Sequence, residues 1–349
     1  MYRINASSID VVIPVYDGEK YIIEAIRSVE EQTFKPSKII VVDDGSTDKT
    51  DILVKNYLKT LTVPLEYIKK INEGPNSARN TGLKKCTSRY VAFLDADDVW
   101  RKNKLEEQLK TFKKNKFKNL GVVYCRYSLI DENSNPKNNC FVVEPDPKMR
   151  GNIFEKLLKA NRITGSASGV LIKKDCFEKT GYFDESLRIG EDWDMWLRLA
   201  KNFDFDFSNK VLVKIRRHPD NAQGKPFYVF SHELDFYNKW ANKISSISHP
   251  IRFLKWGAFI SNKIVNRFPR RDFLKIAQKK LDRGTKKKIF LLAFGSLKLQ
   301  LVFTLFINFF IFLAHLLVDF IIFPFRILKY FLIELSLLLR KINLSLFTK

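Results

Sequence analysis

Tyr90-Val91-Ala92-Phe93-Leu94 runs directly into Asp95-Ala96-Asp97-Asp98. A short apolar run of this kind, bounded by polar residues, has the length and composition of a strand covered on both faces. Three carboxylates at the end of such a strand are expensive in a core, because crowded charges repel each other and lose hydration. The same side chains suit a divalent cation held against a diphosphate. A second acidic pair, Glu191-Asp192, stands before the helical pattern of Trp193, Trp196, Leu197 and Leu199, and can supply a carboxylate base.

Upstream of this junction the chain alternates. Asp10-Val11-Val12-Ile13-Pro14-Val15-Tyr16 reads as a buried strand stopped by proline. Residues 20–32 place Ile22, Ala25, Ile26 and Val29 at helical spacing. Ile39-Ile40-Val41-Val42 is a second apolar run, ending at Asp43-Asp44-Gly45-Ser46-Thr47-Asp48. A helix over 51–58 and a third strand at Leu65-Glu66-Tyr67-Ile68 follow. Strands alternating with helices predict an α/β fold with a mainly parallel sheet. Ligands of such sheets bind beyond the carboxyl ends of the strands. Asp43-Asp44 and Asp95 to Asp98 both lie at such ends, which places them in one site. Downstream, 121–130 and 168–172 read as strands, 205–215 as the last strands, and the polar stretch 133–147 as a loop or edge hairpin.

The 349 residues have room for one large domain and an appendage, or for two domains. The formal charge of +23 is uneven: residues 221–349 hold 22 Lys and Arg against 6 Asp and Glu. That part is also the most apolar, which points to an anionic membrane surface and away from nucleic acid. Helices are expected over 232–263 and 270–281. Residues 299–325 carry Asp319 as their only full charge. As a helix they would extend about 40 Å against a hydrocarbon core of roughly 30 Å. Four cations stand on each side (Lys286, Lys287, Lys288 and Lys298; Arg326, Lys329, Arg340 and Lys341), so the charge rule for orientation is tied. A span, a re-entrant hairpin and an in-plane amphipathic helix all stay open. Cys86, Cys125, Cys140 and Cys176 have neither metal-ligand nor redox spacing and suit a reducing compartment. No apolar signal core opens the chain, so the N-terminal domain is expected at the cytoplasmic face of the cell membrane.

Five segments in order complete a pattern: Val11 to Asp17, Val41 to Asp48, Gly74-Pro75-Asn76-Ser77-Ala78-Arg79-Asn80-Thr81-Gly82, Phe93 to Asp98, and Gly190-Glu191-Asp192-Trp193. Together they resemble the family 2 glycosyltransferases, which are inverting enzymes. The resemblance covers about residues 8–220. It implies a GT-A, Rossmann-like nucleotide-sugar-binding domain over 1–220, followed by a helical, basic and apolar region over 221–349 that associates with the membrane.

The resemblance also implies roles. Pro14 and Tyr16 line the nucleotide base, on which an aromatic ring can stack; core packing is the alternative for Tyr16. Asp44 accepts from the base, a carboxylate being suited to an N–H such as that of uracil, while Ser46 to Asp48 cap the following helix. Arg79 reaches the nucleotide or braces an acidic loop. Asp95 or Asp97 meets the ribose, and Asp97 or Asp98 holds Mg²⁺ or Mn²⁺. His218 is a metal ligand or a diphosphate donor, and Arg216 or Arg217 neutralises phosphate. Gly165 and Ser166 leave room for the acceptor or mark a tight turn. Asp192 is the base that takes the acceptor proton, and Glu191 raises its pKa or orients the loop.

The implied activity is metal-dependent transfer of a sugar from a nucleotide-sugar, with UDP-sugars favoured. The acceptor would be a carbohydrate or lipid-linked hydroxyl in cell-surface polysaccharide or glycolipid synthesis. Two alternatives are a polyprenyl-phosphate glycosyltransferase and a non-catalytic nucleotide-sugar-binding protein at the membrane.

Overall fold

The computed structural model describes residues 8–114, 116–136, 142–158 and 161–219, together with 232, 235, 236, 239 and 240. The expectations for the basic helices and for 299–325 lie outside these residues. No helix among the described residues is long and apolar enough to cross a membrane.

Strands β1 (Ile9–Val15), β2 (Lys38–Asp43), β3 (Leu65–Lys69) and β4 (Tyr90–Phe93) alternate with helices α1 (Ile22–Glu30), α2 (Thr50–Leu58) and α3 (Pro75–Lys85). Then come β5 (Val99–Trp100), α4 (Lys104–Lys114), β6 (Leu120–Ile130), β7 (Val142–Val143), α5 (Phe154–Leu157), β8 (Leu171–Lys173), α6 (Cys176–Thr180), α7 (Glu191–Ala200) and β9 (Asp204–Arg216). The strands form one sheet in the order β3-β2-β1-β4-β8-β6-β9-β5, with β7 on the edge of β6. The first four are mutually parallel, and β9 is parallel to β6. Only the short strands β5, β7 and β8 pair antiparallel to their neighbours. The sheet is therefore mixed but mostly parallel.

Each face carries its own core. Val12, Ile40, Val42, Val91 and Phe93 face α3, α6 and α7. Ile9, Val11, Ile13, Val15, Ile39, Val41 and Leu94 face α1, α2 and α4. Because both faces are covered, the strands are continuous apolar runs rather than alternating ones. Helix α3 escapes periodicity because its buried face is largely polar: Asn76, Ser77, Arg79 and Asn80 are all buried. Helix α4 buries Leu105, Leu109 and Phe112 at helical spacing, with Lys104 and Gln108 beside them. Gly82 lets α3 settle on the sheet, since a Cβ there would meet Val12 Cγ1 at 2.4 Å.

Details differ from expectation. Ser168 lies in a 3-10 turn over Ala167–Gly169, so the strand expected over 168–172 begins only at Leu171. The last strands expected over 205–215 are one strand, β9, with irregular register against β6. Phe236 and Trp240, beyond residue 220, are buried with α7 in the first core.

Candidate active site

β1 and β4 are neighbours, and the chain order reverses between them, so this is where a crevice forms in an open α/β sheet. Pro14 marks the spot. The carbonyl of Val12 accepts from Leu94 on the β4 side and that of Val15 from Asp44 on the β2 side. By alternation, the missing N–H of Pro14 faces β4, whose pairing with β1 stops at Val12↔Phe93. A proline is tolerated in this central strand because no ladder partner remains there. Tyr16, just beyond, is 53% exposed, which removes the core-packing alternative.

The loops after β1 and β2 are laced together. The N–H groups of Asp17, Gly18 and Glu19 donate to Ser46 Oγ, Thr50 Oγ1 and Asp48 Oδ2, each at 2.9 Å. Asp48 Oδ1 receives the Thr50 N–H at the start of α2, whereas Ser46 serves the β1 loop rather than capping. Asp43 accepts from the Ser46 N–H at 2.7 Å and from the Tyr67 hydroxyl. Asp44 is 2% exposed. It accepts from Lys70 Nζ and Glu73 N–H at 3.1 Å and from Gly74 N–H at 2.6 Å. A carboxylate accepts about four hydrogen bonds, and three of these are filled within the chain.

Helix α3 joins the two acidic clusters. Asn76 donates to the carbonyls of Asp184 and Leu187, and Asn80 to that of Phe183, which docks the loop leading to Glu191. Between them Arg79, buried, places Nη2 2.8 Å from Asp95 Oδ1 and Nη1 3.5 Å from Glu191 Oε1. Of its two expected uses, bracing is the one present.

The three aspartates after β4 diverge. Asp95 pairs with Arg79. Asp97 keeps a side chain 30% exposed and sits 3.1 Å from His218 Nε2. Asp98 turns inward: its oxygens receive the Ser168 hydroxyl at 2.6 Å and the Arg216 N–H at 3.0 Å. Its proton is held well above the usual carboxylate range by burial and by Asp97 and Asp95. The metal role expected for Asp98 is corrected, because its carboxylate holds β9 to the acidic turn.

Arg216 is corrected likewise. Its side chain is buried and donates to the Asp97 carbonyl at 2.7 Å, to the carbonyls of Asp131 and Glu132, and to Ser134. It also pairs with Glu24 at 2.7 Å and lies over the Tyr21 ring. It clamps the turn from behind, with its donors spent on protein acceptors. Tyr21 in turn packs against the His218 ring at 5.2 Å between centroids.

Asp97 and His218 offer an oxygen and a nitrogen side by side, a donor pair suited to Mn²⁺ or Mg²⁺. Burial and the neighbouring Asp95 raise the pKa of Asp97, opposed by the contact with His218. Among the described residues no group of three His, Cys, Asp or Glu side chains converges. The pair therefore fits an ion whose remaining positions go to phosphate and water, which is how Mg²⁺ is commonly held.

Asp192 stands in the first turn of α7. Oδ1 accepts from the Trp193 N–H at 2.7 Å and Oδ2 from the Ser166 hydroxyl at 3.1 Å. Burial raises its pKa, opposed by Trp193, Arg79 and Ser166. Burial leads for both carboxyls, and the two acids also repel each other. Glu191, with Asp192 beside it, is pushed up to about 7. Gly165 and Ser166 form a tight turn, with φ of 82° and 49°. Ser168 was missed by sequence reasoning. The signal was the Ser-Ala-Ser run at 166–168, read as small residues or a tight turn and not as hydroxyl donors.

Comparisons with known proteins agree with this fold. The profile of glycosyl transferase family 2 matches residues 10–179. The uncharacterized glycosyltransferase RP339 of Rickettsia prowazekii is 37% identical over 243 residues, 68% of this chain and 72% of that protein. The minor teichoic acid biosynthesis protein GgaA of Bacillus subtilis is 28% identical over 240 residues, 67% of this chain and 50% of its own length. Three other Rickettsia glycosyltransferases are matched over 30–33% of their length. In fold, S. aureus TarS 1–349 in complex with UDP-GlcNAc superposes with a TM-score of 0.55 at 20% identity, covering 78% of this chain and 76% of that one.

Proposed function

The chain belongs to glycosyl transferase family 2, and we propose that it moves a sugar from a nucleoside-diphosphate sugar to an acceptor hydroxyl with inversion at the anomeric carbon. The observation that carries this reading is Arg79, whose guanidinium touches Asp95 and Glu191 at once. It draws the donor-side carboxylates and the base into a single site.

In this reading Tyr16 stacks on the base and Pro14 lines it. Asp44 gives its remaining acceptor position to a base N–H, and Asp95 meets the ribose. A UDP-sugar is the first donor to try, because the similarly folded TarS has been seen with UDP-GlcNAc. The likeness to a teichoic acid biosynthesis protein favours a cell-surface polymer as acceptor. The apolar run 299–325 and its cationic flanks favour work at the cytoplasmic face of the membrane.

Asp97 and His218 would hold Mg²⁺ or Mn²⁺, which when bound supplies Lewis-acid neutralisation of diphosphate charge. The acceptor oxygen attacks the anomeric carbon, and the bond from that carbon to the diphosphate oxygen breaks. The nucleoside diphosphate leaves with the electron pair, and the acceptor proton passes to Asp192. Burial makes Asp192 more basic than an exposed aspartate, which suits proton capture near neutrality. A lipid-phosphate acceptor would arrive already ionised and would not use such a base.

Asp192→Asn should keep metal-dependent thermal stabilisation by UDP-GlcNAc while transfer falls by about 10²–10⁴. Near-normal transfer by this variant eliminates Asp192 as the base.

A further inference from the structure

Ser166 has φ 49° and ψ −149°, a region sparsely populated for any residue with a Cβ, and it directly follows Gly165 at φ 82°. Such a conformation persists where its surroundings over-determine it. The Thr164 hydroxyl donates to the Cys125 carbonyl at 2.6 Å, and Gly169 N–H donates to the Ser166 carbonyl at 3.3 Å. A Cβ at Gly169 would meet the Thr164 oxygen at 2.6 Å, so the turn closes on itself. Gln108 and Trp100 hold the carbonyls of Gly169 and Ser168 from below at 2.8 and 2.9 Å.

The same turn is tied to the donor-side acids. Ser168 Oγ accepts the Asp95 N–H at 3.0 Å and donates to Asp98 at 2.6 Å. Two residues earlier the Ser166 hydroxyl reaches Asp192 Oδ2 at 3.1 Å. One rigid turn thus grips both acidic clusters through two serines. The hydroxyl of Ser166 could be satisfied by water in a relaxed turn. The unfavourable backbone instead aims it at one oxygen of Asp192.

We propose that Ser166 is the positioning residue of the base: its hydroxyl donates to Asp192 Oδ2 and so selects the lone pair presented to the acceptor and favours the charged form. This rests on the reading of Asp192 as the base. The charges facing Asp192 are Arg79 from α3, Asp95 from the acidic turn and Glu191 beside it. Replacing Ser166 changes none of them, so a shift in the pH profile reports the hydroxyl.

The test measures kcat against pH and donor KM for Ser166→Ala, Ser166→Gly and Asp192→Asn, with Mn²⁺ and UDP-GlcNAc. Ser166→Gly removes the hydroxyl while relieving the backbone, so it carries the test if Ser166→Ala fails to fold. In both Ser166 variants kcat should fall about tenfold, donor KM should stay within about twofold, and the acidic limb should move to higher pH. An inactive Asp192→Asn beside a Ser166→Gly with unchanged kcat and limb overturns this inference alone. An active Asp192→Asn removes the base assignment and the inference with it.

Discussion

The carboxylates that end β2 meet mainly backbone amides, whereas those that end β4 meet cations, hydroxyls and one another. Asp43 and Asp44 accept N–H groups from Ser46, Glu73 and Gly74 and so fold the chain around themselves. Asp95 and Asp97 lean on Arg79 and His218, side chains that a ligand can share or displace. The same residue type at the same place in a strand–loop unit thus serves architecture in one turn and exposed chemistry in the other. What separates them is the supply of nearby amide donors, which depends on how the following loop curls.

The strongest way to break this contrast is Asp97→Ala. Transfer should fall roughly a thousandfold, since Asp97 is the carboxylate proposed to hold the cation. The midpoint of denaturant unfolding should barely move. A large loss of stability instead would place Asp97 with the architectural acids. Asp44→Ala should weaken donor binding and, unlike Asp97→Ala, also lower stability. Leaving two buried N–H groups and Lys70 without their acceptor should cost about 2–3 kcal/mol in equilibrium unfolding. An unchanged unfolding midpoint would dissolve the distinction.

The smallest effect sharpens the β4 side through pH. Glu191 rises from 4.5 to about 7 on folding, so the folded state holds its proton more tightly. That contribution to stability is complete below 4.5 and is lost as pH rises through about 7. Glu191→Gln should therefore melt less differently between pH 5 and pH 8 than the parent protein. The difference should be about 1–2 kcal/mol, because the side chain keeps some solvent.

Much of the parallel half was legible. Strands β1, β2 and β4 are covered on both faces, so their apolar runs need no partner to be recognised. Helix α3 was not legible as an element. Its inward face carries Asn76, Arg79 and Asn80, which imitate a solvated surface until the groups they serve are known. Asp98 and Arg216 misled for the converse reason: charge in a motif suggests a ligand, and here the charge is turned inward.

The order of motifs by itself determined the family, the kind of sheet and the strand ends where acids collect, because these follow from local composition and period. Only the tertiary structure decided which acid faces outward, that Arg79 spans both clusters, and that the Ser166 hydroxyl meets Asp192. Those outcomes depend on hydrogen-bond partners brought together from distant parts of the chain, and no local pattern encodes such a meeting.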